Sequence, residues 1–166
     1  MIFLLYQIAV CYILFLRKLN IENQILGVFT MIKVWYGEKG TGKTKALVQT
    51  VNDMIQECDG DVVFIDHNSE RMYDLKHQIR YVNTSDFKID NCSSFAGFIS
   101  GIVSADYDID AIFVDGLNYI TKTDKLNYKL FFDVIGDLEE KFNIDFYISM
   151  SGEASDLPDY LKVYIA

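Results

Sequence analysis

Ile32-Lys33-Val34-Trp35-Tyr36-Gly37-Glu38-Lys39-Gly40-Thr41-Gly42-Lys43-Thr44 is the stretch that decides how the rest of the chain is read. Ile32 to Tyr36 is an apolar run of strand type, and Gly37 to Thr44 satisfies G-x-x-x-x-G-K-[ST] in full. Beyond it Leu47, Val51, Met54, Ile55 and Cys58 recur at helical spacing up to an Asp59-Gly60 stop, which predicts a helix over 43–58. In a strand, glycine loop and helix of this kind, successive backbone N–H groups turn inward around a phosphate, and the helix N-terminus adds its partial positive charge. Lys43 supplies a point charge. Gly37, Glu38, Lys39, Gly40, Thr41, Gly42, Thr44 and Lys45 complete the predicted cradle.

On these residues the chain resembles the P-loop NTPase superfamily, from Ile32 to about Ser151. The resemblance implies a three-layer α/β/α fold with a mostly parallel five-stranded sheet in RecA-like order and a ligand at the C-terminal edge of the strands. It also implies ATP and Mg²⁺ as ligands, with Lys43 on the β/γ oxygens and the Thr44 hydroxyl on the metal. The additional lysine of the partition ATPases, five places before the main one, is Glu38 here, and Lys39 is one residue out of register, which disfavours that subgroup. The chain is also similar in look to small stand-alone P-loop proteins labelled ATP-binding or twitching-motility-ATPase-like. The part from Met31 onward leaves no room for the additional domain and the Asp and His boxes of the retraction ATPases.

A cation between the β and γ phosphates needs a carboxylate opposite Thr44. Ala111-Ile112-Phe113-Val114-Asp115 matches the Walker B pattern, which makes Asp115 the expected metal ligand beside Thr44. Val62-Val63-Phe64-Ile65-Asp66 ends the same way and places Asp66 at the edge of the site. Hydrolysing members of the superfamily commonly have Glu after the Walker B Asp to orient the attacking water, and here that residue is Gly116. The substitutes are Asp66, Glu38 or Glu153, so the expected catalytic set is Lys43, Asp115, Asp66 and Glu153. A helix from about Thr123 to Phe142 is followed by a strand over 144–151, whose polar tip, Ser149 or Ser151, is expected to read the γ-phosphate.

Two local patterns point elsewhere and are set aside. Thr121-Lys122-Thr123-Asp124 matches a guanine-recognition signature, but it follows Asp115 too closely to have its own strand, and Thr123 or Asp124 reads more simply as a helix N-cap. Arg71 and Arg80 are the only arginines after Met31, too few for the Arg-rich lid of a nucleotide kinase. Residues 91–104 read as another helix, Pro158 as a turn, and Val163 to Ala166 as a last strand.

The 166 residues hold 15 Lys plus Arg against 24 Asp plus Glu, and a net charge of −9 disfavours nucleic acid as a direct partner. Cys11, Cys58 and Cys92 are far apart and indicate neither a disulfide framework nor a zinc site, and His67 and His77 lack a ligand pattern. Residues 1–30 form an apolar extension, read either as translated sequence ahead of a start at Met31 or as a short membrane anchor. Met1 to Leu16 in helical form spans about 24 Å, against about 30 Å for a bilayer core. Arg17 and Lys18 follow it, so an anchored chain is expected to keep residues 31–166, the nucleotide-binding domain, on the cytoplasmic side. The expected function is an ATP-binding protein with slow Mg²⁺-dependent hydrolysis, acting as a nucleotide-dependent switch or motor component. Activation is expected through assembly with an unidentified protein partner or as a homo-oligomer. The alternatives are a nucleotide-sensing module without turnover, and a small-molecule kinase.

Overall fold

The computed structural model describes residues 31–122 and 128–166; the predicted extension over 1–30, and Thr123 and Asp124, lie outside them. The described elements are β1 (Ile32–Gly37), α1 (Lys43–Met54), β2 (Asp61–Asp66), β3 (Arg80–Asn83), α2 (Cys92–Ala105), β4 (Ile109–Val114), α3 (Leu117–Thr121), α4 (Lys129–Phe142) and β5 (Asp145–Ser151). All five strands pair in parallel, in the order β1-β5-β4-β2-β3. The strand expected between the phosphate-loop strand and the Walker B strand is there: β5 separates β1 from β4.

Near-continuous apolar runs such as Val62 to Ile65 and Ala111 to Val114 are fully buried because both faces of the sheet are covered. On one face, Leu47 and Val51 of α1 pack over Val62, Phe64, Ala111, Phe113 and Tyr147. On the other, α2, α3 and α4 bring Phe95, Ile99, Leu117, Phe131 and Ile135 onto Val63, Ile65, Ile112, Val114, Phe146 and Ile148. The architecture is therefore three-layer α/β/α. Strand side chains alternate faces with period two, so Asp66 falls on the face of Val62 and Phe64, and Asp115 on that of Ala111 and Phe113. Ser149 likewise follows Tyr147. The register pairs Ile65 with Val114 and Val114 with Ile148, so these three polar residues stand side by side at the C-terminal edge, facing the layer of α1.

Three sequence expectations differ from what is observed, and one strand was not expected. Helix α1 stops at Met54 and the chain turns through Ile55 to Cys58 before Gly60, where a Cβ would lie 2.2 Å from the Asp108 carbonyl. The helix expected from Thr123 to Phe142 begins at Lys129 within the described residues, and α3 ends at Thr121, capped by Lys122 with a left-handed φ of 49°. Arg80–Asn83 forms the edge strand β3, too short to show periodicity in sequence. Val163 to Ala166 is not a strand: Asp159–Tyr164 coils into 3₁₀ turns, and only Ile165 bridges Val34 of β1. The reason is aromatic, because Tyr160 and Tyr164 pack against Phe132 at 6.4 and 5.4 Å and hold the segment on α4.

Phe113 is fully buried, 4.4 Å from the Tyr147 ring and 6.3 Å from that of Phe64. Replacing it by Ala removes the centre of this stack, and Phe113→Ala is expected to lower unfolding free energy by about 3–5 kcal/mol, read as an earlier urea midpoint at unchanged slope.

Candidate functional site

The loop between β1 and α1 has its shape because two glycines take conformations other residues avoid: Gly40 and Gly42 both have φ of 88°, and Gly42 is the N-cap of α1. Within the loop the Thr41 hydroxyl donates to the Glu38 carbonyl at 2.9 Å. The Lys43 ammonium folds back over it, donating to the carbonyls of Gly37 at 2.8 Å and Glu38 at 2.6 Å and to the Thr41 hydroxyl at 3.3 Å. Partial burial lowers the Lys43 pKa from its ordinary value, and the negative charge of Asp115 opposes that shift.

Behind the loop the Thr44 hydroxyl donates to Asp115 Oδ1 at 3.0 Å, tying the first turn of α1 to the end of β4. Asp115 is 6% exposed, and the same oxygen accepts from the buried Ser149 hydroxyl at 2.5 Å. Ser149 in turn accepts from the Gly116 N–H at 2.7 Å. Strand, loop and helix thus close on one carboxylate. This is the P-loop fold.

No protein-family model matches the chain, and a search of curated proteins finds no match. Among solved structures it is similar to the crystal structure of the flagellar accessory protein FlaH from Methanocaldococcus jannaschii. The identity is 14% and the TM-score 0.49, over 87% of this chain and 71% of that one.

A cleft of about 530 Å³ opens above the loop. Of the residues expected from sequence, Lys39, Gly40, Gly42, Lys43, Thr44, Lys45, Asp66, Asp115, Ser149 and Ser151 line it. Gly37, Glu38 and Thr41 shape it from behind through their bonds to Lys43. Glu153 does not line it. The Tyr36 hydroxyl donates to the Glu153 carbonyl at 3.1 Å and the Gly152 N–H to the Gly37 carbonyl at 3.1 Å, which fixes the exit of β5 beside β1. Thr121 is also elsewhere: it is buried, and its hydroxyl donates to the Leu117 carbonyl. Arg71 lines the cleft and Arg80 does not.

His67, Asn68 and Tyr119 line the cleft without a signal in the sequence. His67 follows Asp66 directly, and the Tyr119 ring stacks on its imidazole at 5.1 Å. Gly116, where a Glu would be expected, has φ of 71° and is the N-cap of α3. A Cβ there would lie 2.8 Å from the Tyr119 ring, so the space beside Asp115 is taken by the Tyr119 and His67 pair. Asn118 holds β5 and α4 together, accepting from the Ser151 N–H at 2.8 Å and donating to the Tyr128 hydroxyl at 3.0 Å.

Asp66 is 1% exposed, and burial raises its pKa; the neighbouring Asp115 charge adds to the rise and a bond from the His67 N–H at 2.6 Å opposes it. A raised native pKa means that the ionised carboxylate is a cost to folding, present in full above that pKa and lost as pH falls through it towards the ordinary 3.8. Asp66→Asn is therefore expected to raise the melting temperature near neutral pH, with the gain vanishing on acidification, as thermal melts across a pH series would record. Gly116→Ala is expected to cost about 1–2 kcal/mol through its left-handed backbone and the displaced Tyr119, measured by urea denaturation.

Proposed function

We propose that this protein binds a nucleoside triphosphate, with ATP as the natural candidate, together with Mg²⁺, and hydrolyses it slowly as a nucleotide-dependent switch. The observation that carries the reading is the Thr44 to Asp115 contact at the floor of a cleft roofed by a glycine loop and Lys43. It joins a hydroxyl and a carboxylate, two hard oxygen donors, beside a loop whose backbone N–H groups and lysine favour a polyanion. Among the described residues no three His, Cys, Asp or Glu side chains come together as a cage for a metal ion. That fits a cation held by one carboxylate, one hydroxyl, water and the phosphates themselves, which is how Mg²⁺ prefers to bind. When bound, Mg²⁺ supplies charge neutralisation on the β and γ oxygens.

In this reading Lys43 leaves the loop carbonyls for the phosphate oxygens, Ser149 keeps the Asp115 carboxylate aimed at Thr44, and α1 presents its N-terminus to the β-phosphate. Slow turnover follows from the ring that occupies the space beside Asp115, because no carboxylate at position 116 positions a water there. A switch without any turnover is the second reading, favoured by the same observation. A single-turnover assay separates the two: phosphate released by the wild type and abolished in Lys43→Ala supports hydrolysis, and none at all leaves a sensor.

Calorimetry on the full chain tests binding. Mg·ATP is expected to bind, and Lys43→Ala to weaken it by about 10–100-fold, the value of a charge-assisted hydrogen-bond set. A folded wild type that binds no Mg·ATP removes the proposal.

A further inference from the structure

Three features at the rim of the cleft belong together. Asp66 is buried at the end of β2 and His67 is the next residue, with its Nδ1 2.9 Å from Asp66 Oδ1. The approach is oblique, so this buried Nδ1 has no hydrogen-bond partner, although a carboxylate oxygen lies within reach of a small ring rotation. On the other side of the imidazole, Nε2 and the Asn68 Nδ2 are 3.2 Å apart. An amide NH₂ can only donate, so that contact requires Nε2 to be the unprotonated nitrogen, and the ring proton then lies on Nδ1, on the side of Asp66 but aimed past it. Tyr119 stacks flat on the ring, 23° from parallel, and fixes its plane. A buried polar atom without a partner is uncommon in a folded protein and calls for an explanation.

We propose that His67 is the proton acceptor of this site: an in-plane rotation of the ring brings Nδ1–H onto Asp66, 2.9 Å away, Tyr119 holds the ring plane, and Nε2 takes a proton from the attacking water. The proposal rests on the reading of the cleft as a triphosphate-hydrolysing site and assigns the base that Gly116 does not supply. The water oxygen forms a bond to the γ-phosphorus. The bond from that phosphorus to the β,γ-bridging oxygen breaks, and its electron pair leaves with the diphosphate. The water proton goes to Nε2 and from there to solvent, since the His67 side chain is 39% exposed. Asn68 donates to Nε2 before the water arrives and marks the direction from which the nitrogen is approached. Asp66 is a positioning residue here, because it acts through the imidazole. Its own oxygens are occupied by the His67 N–H at 2.6 Å and the Tyr81 hydroxyl at 3.4 Å.

The chain has two histidines, so its imidazole spectrum holds two rings, and the exposed His77 is an internal reference. Long-range ¹H–¹⁵N correlation on the full chain, assigned with His67→Gln, is expected to show His67 as the Nδ1–H tautomer when neutral. Asp66→Asn is expected to shift it towards Nε2–H while leaving His77 unmoved. A non-hydrolysable ATP analogue with Mg²⁺ is expected to move the His67 signals and not those of His77. In single-turnover assays His67→Gln is expected to lose about 100-fold or more in phosphate release while keeping Mg·ATP affinity within about twofold by calorimetry. An Nε2–H tautomer in the wild type, or His67→Gln that hydrolyses at the wild-type rate, overturns the proposal; so does a wild type that binds Mg·ATP and never turns it over. A wild type that binds no Mg·ATP is a failure of the nucleotide reading itself, recognisable because no variant is needed to see it.

Discussion

Asp115 is a carboxylate taken almost wholly out of water, and the organisation of the cleft follows from how that group is satisfied. An ionised side chain at this depth is stable only with donors pointed at it. Two hydroxyls supply them to one oxygen, Thr44 from the first turn of α1 and Ser149 from the neighbouring strand β5. Each donor binds a separate element to β4, so the loop, the helix and the sheet edge hold their relative positions through a single atom. The Gly116 N–H donating to Ser149 extends the same chain of bonds to the turn that launches α3. The geometry needs no special loop, because strand parity and parallel register already set Asp66, Asp115 and Ser149 in a row on the face that α1 covers.

The charge of the molecule is a poor guide to this site. Arg17, Lys18 and Glu22 are the only charged residues before Met31, so the rest of the chain is more acidic than the net −9 indicates. Yet Lys39, Lys43, Lys45 and Arg71 converge on one cleft beside an α-helix N-terminus. The positive potential of the cleft is local, made of a few cations and oriented N–H dipoles, and Asp66, Glu70 and Asp115 line the same cleft.

What could be read from the residues divides along physical lines. The loop, α1, β4 and β5 were legible because each combines a fixed chemical motif with a run long enough to show its period, and Asp115 could be paired with Thr44 because a bridging cation needs both kinds of oxygen. β3 was not legible: four residues at an edge carry no period. The C-terminal segment misled because Val163, Tyr164 and Ile165 have strand propensity, while the contacts of Tyr160 and Tyr164 with Phe132 outweigh it. The break at Lys122 rests on a left-handed residue that is not glycine, which composition does not announce. Glu153, one of three candidate substitutes for the absent Glu, does not line the cleft, because the exit of β5 is set by the Tyr36 and Gly152 contacts that the residues do not announce. His67 and Tyr119 escaped because their meeting brings the residue after β2 against the helix after β4, a juxtaposition that no local pattern encodes.

The lysine that folds back on its own loop has one more consequence. Its protons already satisfy the carbonyls of Gly37 and Glu38 and the hydroxyl of Thr41. Any anion that took this ammonium would therefore compete for protons already in use. Binding at this atom would be substitution rather than capture, and its enthalpy the difference between two sets of similar bonds.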